Sequence, residues 1–169
     1  MRIALKILTL CVALVIAGCS TDRATKEAIR RAETIAREMP DSALMLIESV
    51  DPQNVRGEDD KAHYRLVEAE VLYYNRILPD REEVAQPLFD HYLTSNDHRE
   101  RARAMYQYAL VMQAEGENAE ALYALLEAEK SLELCKYIDK PRLQGLVHRT
   151  KGEIYGVECL FSNAYEEHA

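Results

Sequence analysis

After Cys19 the chain keeps a single hydrophobic period. Apolar residues recur three and four positions apart almost without interruption, and no stretch alternates every second residue long enough to make a strand. That pattern commits the chain to helices packed on helices, an all-α fold with no sheet. Only five Pro and six Gly occur in 169 residues. They fall largely between the periodic segments, where they act as punctuation.

Reading from one break to the next predicts eight helices. The first covers about 22–38, with Ala28, Ala32, Ile35 and Ala36 on one face, and Pro40 stops it. The second opens on Asp41 as N-cap and carries Ala43, Leu44, Leu46, Ile47 and Val50. Asp51 to Gly57 reads as a loop. A third helix over 58–76 places Leu66, Val67, Val71 and Tyr74 at helical spacing. Asp80 with Glu83, and Asp97 with Glu100, have the spacing of capping boxes for helices over 81–94 and 98–115. Gly116 is a natural left-handed terminator for the latter. Helices over 117–136 and 140–157 follow, the second opened by Asp139 and Pro141, and an eighth begins near Ser162.

The N-terminus carries a different signal. Arg2 and Lys6 precede an uncharged apolar run over 7–17 that is too short to span a bilayer, which takes about 20 residues. It has the length of a signal-peptide core. The run closes on Leu14-Val15-Ile16-Ala17-Gly18-Cys19, which resembles the lipobox cut by bacterial signal peptidase II. The resemblance implies a removed signal over 1–18, a lipidated Cys19 with a short tether over 19–21, and a helical domain over 22–169. Multiple acyl chains suffice for stable anchoring. Ser20 after the cysteine is compatible with delivery to the outer membrane, facing the periplasm, with the cell surface as an alternative.

Eight helices with short turns suggest hairpins in series, and small residues recur as such a series needs. Ala109, Met112 and Ala121 return 43 residues later as Gly152, Tyr155 and Ala164. Small side chains must recur where the helices of a hairpin cross closely. Tyr106 to Glu129 resembles a tetratricopeptide repeat (TPR). Ala109 and Met112 stand on the first helix, Gly116 at the turn, and Ala121, Leu125 and Ala128 on the second. The repeats are longer than the usual spacing, so the helices are extended, and they lack the family's Trp and closing Pro, which makes the match family-level only. The resemblance implies a right-handed TPR-like solenoid whose first helices line a concave peptide-binding groove. Carried onto this chain, the groove positions are Arg103, Tyr106, Leu110 and Gln113 on one hairpin and Leu146, Arg149, Glu153 and Val157 on the next. Tyr106 and Leu110 occupy places where carboxylate-clamping TPRs carry Lys and Asn, so the implied ligand is a peptide or helix.

A narrower resemblance runs through Ala32-Glu33, Pro40-Asp41-Ser42-Ala43-Leu44, Asp51-Pro52 and His63-Tyr64. It is similar to TPR lipoproteins of Gram-negative gut anaerobes, which open with a lipobox followed by extended TPR hairpins. A capping helix is expected at the end of such a series, whereas Ala169 falls inside the second helix of a repeat. The expectation is an incomplete C-terminal face that could self-associate, or a fragment of a longer protein.

The remaining inventory is chiefly exclusion. The chain carries 21 basic and 29 acidic residues, a net −8, and losing Arg2 and Lys6 makes the mature part more acidic still. Such a surface repels nucleic acid and anionic lipid headgroups. His91 and His98 flank a turn beside Asp90 and Asp97, but adjacent helical residues point apart. No His-Glu-x-x-His, Cys-x-x-Cys, nucleophile elbow or phosphate loop occurs. No cofactor, metal site or enzymatic activity is expected. Cys135 and Cys159 lie at the ends of consecutive antiparallel helices, roughly 25 Å apart, too far for a disulfide. The ten tyrosines, with two Phe and no Trp, supply most of the aromatic bulk for packing or for a groove.

The functional expectation is a lipid-anchored, non-enzymatic protein-interaction scaffold of the cell envelope. The alternatives are the sensor portion of an envelope signalling protein whose output region is missing, and an outer-membrane assembly lipoprotein.

Overall fold

The computed structural model describes residues 21–157. Cys19, Cys159 and the helix expected near Ser162 lie outside the described residues. Within them the chain is all-helical, with seven α-helices, one 3-10 turn, one π turn and no strand. It divides after Asn75 into two compact units.

The first unit contains α1 (Arg23–Ile35), α2 (Pro40–Glu48) and α3 (Glu58–Tyr74), with a 3-10 turn at Pro52–Asn54 between the last two. Asp22 starts α1: its Oδ1 accepts from the Thr25 N–H at 2.9 Å and its Oδ2 from the Thr25 hydroxyl at 2.8 Å. These bonds satisfy an orphan donor of the first turn and hold the Asp22 carboxyl below its usual range. The helix ends earlier than expected, with Met39 N–H bonded to Ile35 O at 2.8 Å. It is Pro40, not Asp41, that opens α2. Proline fits the first helical position because its missing N–H would have had no partner there. Asp41 falls in the first turn, where its charge still suits the helix dipole.

Helical spacing builds this unit's core. Ile29, Ala32 and Ala36 meet Ala43, Ile47 and Val50, then Tyr64, Val67 and Val71. Two polar ties brace its ends. Thr21 Oγ1 donates to Arg56 O at 2.9 Å and accepts from Arg56 N–H at 2.7 Å. Asn75 Nδ2 donates to Pro40 O at 3.0 Å, joining the end of α3 to the start of α2.

The second unit opens with a π turn over Arg81–Ala85, then α4 (Gln86–Tyr92), α5 (His98–Glu115), α6 (Asn118–Leu134) and α7 (Lys140–Val157). Asp80 caps as expected, its Oδ1 accepting from Glu83 N–H at 2.7 Å. The single helix expected over 81–94 is instead a π turn running into a short α-helix. Pro87 supplies the reason: in a tight α turn its ring would strike the Glu83 carbonyl, and a wider turn relieves that clash.

Asp97 caps α5, accepting from Arg99 N–H and Glu100 N–H at 3.1 Å each. Gly116 ends the helix at φ +83°. Glu117 N–H then reaches Met112 O at 2.9 Å and Gly116 N–H reaches Gln113 O at 3.1 Å, a Schellman closure. A connection this short folds α6 back antiparallel on α5, and the two make the most extensive helix pair of the unit. Ala109, Met112, Ala121, Leu125 and Ala128 are fully buried. On α7, Leu143, Val147, Thr150, Lys151 and Ile154 point inward at helical spacing, and Gly152 is buried with them.

Candidate functional site

The eight expected groove residues do not form one open surface. On α5, Arg103 is 8% exposed and Tyr106 only 2%, while Leu110 and Gln113 are half-buried. This corrects the expectation that α5 offers a free face. Residues 102–109 are buried all round, and α4, α6 and α7 each pack on this helix. Arg103 is occupied as well, its Nη1 lying 3.2 Å from Glu100 Oε1. On α7, Leu146 is half-buried and Arg149, Glu153 and Val157 are exposed along one stripe. Arg149 Nε lies 3.6 Å from Glu153 Oε1, a solvent-facing pair one helical turn apart. Such a pair contributes little to stability and leaves both groups accessible.

Two carboxylates tie the helices of this unit together. Glu127, on α6, is buried and contacts Arg101 from α5 and Lys130 from its own helix. The hydrogen bond from Lys130 outweighs burial and holds the Glu127 carboxyl below its usual range. Glu129 receives Lys151 of α7, whose Nζ lies 2.9 and 3.0 Å from its two oxygens. Lys151 is 5% exposed, so this contact neutralises a cation inside the fold.

The second unit also contains an open pocket of about 320 Å³ lined by Arg81, Gln86, Phe89, Tyr108, Glu120 and Tyr123. Three helices contribute one ring each. Phe89 from α4 and Tyr108 from α5 have centroids 4.3 Å apart, and Phe89 and Tyr123 from α6 are 6.3 Å apart. The Tyr108 hydroxyl lies 3.3 Å from both Gln86 Oε1 and Glu120 Oε2. Burial, reinforced by the Glu120 charge, pushes its phenol up, so it remains a protonated donor. Arg81 closes one side, with Nη1 2.7 Å from Glu115 Oε2 and Nη2 3.4 Å from Glu120 Oε2.

None of these six residues was among the expected groove positions. One signal could have found two of them. Tyr108 and Tyr123 lie at nearly equal distances on either side of Gly116, and residues equidistant from the turn of an antiparallel hairpin come side by side. Phe89 joins them only through tertiary packing.

Among the described residues no group of three or more His, Cys, Asp or Glu side chains converges as metal ligands would, and no helix is long and apolar enough to cross a membrane. Cys135 is a free thiol. No family model, curated protein or solved structure matches the chain.

Proposed function

We propose that this chain is a non-enzymatic protein-interaction module built as a TPR-like helical repeat, lipid-anchored through Cys19 to the bacterial envelope. The observation that carries this reading is the α5–α6 hairpin. Its small and aromatic-site positions, Ala109, Met112, Ala121, Leu125 and Ala128, are all buried, and its turn residue Gly116 adopts the left-handed conformation. That is the packing logic of a stackable hairpin: small residues at the crossing and a glycine at the bend. A stacked array presents side chains on successive first helices to a ligand. The accessible ones are the α7 stripe of Leu146, Arg149, Glu153 and Val157, with Leu110 and Gln113 beside the buried part of α5.

A crosslinking capture from bacterial envelopes tests the reading, comparing the intact chain with an Arg149→Ala, Glu153→Ala double variant. Both side chains face solvent, so their removal leaves the fold intact. The intact chain and the double variant are expected to fractionate with membranes, and Cys19→Ala to be released. A specific partner whose yield drops about tenfold in the double variant supports the stripe as the docking surface. Equal capture by both forms removes the stripe from the proposal.

A further inference from the structure

We propose that the pocket between Phe89, Tyr108 and Tyr123 receives a cationic side chain, a lysine or arginine, from a partner protein. This is a second binding site, distinct from the α7 stripe and independent of it.

Two oxygen acceptors belong to the side chains that line the cavity. Gln86 spends its amide on Asp90, with Nε2 2.9 Å from Oδ1, and turns its carbonyl oxygen to the Tyr108 hydroxyl. Glu120 adds a carboxylate whose side chain is 52% exposed. Beside the Arg81 guanidinium and the tyrosine hydroxyls, the polar lining thus offers an amide oxygen and an exposed carboxylate as acceptors. Lysine and arginine only donate and carry positive charge as well, which the other donor-only side chain, tryptophan, does not. The remaining lining is three aromatic rings, a residue type whose faces attract cations through their quadrupoles. Tyr123 is 48% exposed and Leu126, one turn further along α6, is 43% exposed. Tyr123 belongs to the pocket wall and Leu126 follows it on the same helix, so exposed apolar surface continues beyond the pocket, where the neighbouring residues of a peptide can lie. A free small cation would leave that surface uncovered.

Charge selects the same sign. Glu115, Glu120 and Asp90 surround the site against one guanidinium, Arg81. Arg81 is a cation already resident in the wall. Its contact with Glu115 is short and its contact with Glu120, at 3.4 Å, is long. An incoming ammonium can take Glu120 while Arg81 keeps Glu115. Arg81 thus competes with the ligand, and neutralising it should strengthen binding.

The test measures fluorescence anisotropy of a labelled short peptide of alanine, leucine and lysine against the full chain in uncharged detergent. Its fully acetylated counterpart and free tetramethylammonium serve as comparison ligands. The lysine peptide should bind, and acetylation should weaken it about tenfold. Glu120→Gln and Tyr123→Ala should each weaken binding several-fold, and Arg81→Gln should strengthen it. Glu133→Gln, an exposed carboxylate elsewhere on α6, should change nothing. Circular dichroism checks that each variant is folded. Absence of binding by the lysine peptide, or equal binding of its acetylated form, overturns the proposal. So does a loss in Glu133→Gln matching that in Glu120→Gln, which would mean diffuse attraction to an acidic surface. Weaker binding in folded Arg81→Gln, or tetramethylammonium binding as tightly as the peptide, is equally fatal. Because the α7 stripe is untouched by these variants, failure here leaves the proposed function standing, and the reverse also holds.

Discussion

Both units are built from packed helices, but they bury different chemistry. The first encloses aliphatic residues and Tyr64, and its sole buried polar residue among those described is Thr21. The second buries Arg103, Gln107, Glu127, Ser131, Thr150 and Lys151 alongside its apolar residues. Apolar packing is tolerant of shape and indifferent to pH. Buried charges must meet their partners in one geometry or cost several kcal/mol. The first unit is thus a plain packing unit. The second has its helix positions pinned by ion pairs, and it also presents the pocket of acceptors and rings.

The sharpest way to break this contrast is to remove a buried charge. Lys151→Met leaves the partly buried Glu129 without its main cation, and should destabilise the second unit by about 2–3 kcal/mol. Adding Glu129→Leu should recover most of that loss. Native-state hydrogen exchange reads both effects on α6 and α7 amides. A neutral Lys151→Met would show that the pair contributes nothing, and the contrast would fail.

A smaller effect tests the pH side. The Glu127 carboxyl is held below its ordinary value of 4.5. A depressed carboxylate stabilises the fold above its unfolded pKa, and that stabilisation is lost as pH falls through the folded value. Glu127→Gln should therefore be less stable than the parent at neutral pH, by about 1 kcal/mol, with the gap closing as pH drops below 4.5. Urea denaturation at several pH values measures the gap; one that widens in acid contradicts the assignment.

A last comparison sets one glycine of each unit against the other. Gly57 and Gly116 both hold positive φ, at 87° and 83°, and a Cβ at either would meet open space. Gly116, at ψ 7°, is left-handed helical, so Ala there should cost about 1 kcal/mol through backbone strain alone. Gly57, at ψ 141°, lies where L residues scarcely go, so Ala there should cost more. Hydrogen exchange in each unit reads both losses, and a smaller loss at Gly57 would contradict this ranking.

Much of this organisation is legible in the sequence. The bounds of α5 follow from Asp97, Gly116 and the 3.6-residue period, and the start of α7 from Asp139 and Pro141, because caps and periodicity are local properties. The π turn was not readable as such: it results from a proline one turn inside a helix whose cap lies upstream. Periodicity also misled at Tyr106. It shows that a helix has a buried face, but not that three neighbours will leave it no other. The pocket was the least legible feature, since its rings come from three helices and meet only once those helices pack.

The pocket also has an optical consequence. The chain contains no tryptophan, so ultraviolet emission comes from tyrosine alone, with no brighter fluorophore to mask it. Tyr108 shares its hydroxyl with the Glu120 carboxylate and stacks near Phe89, and a carboxylate so close to a phenol quenches its emission. Any cation that draws Glu120 away should brighten Tyr108. With ten tyrosines in the chain, occupancy would show on the unlabelled wild-type protein as a rise above the emission of the other nine.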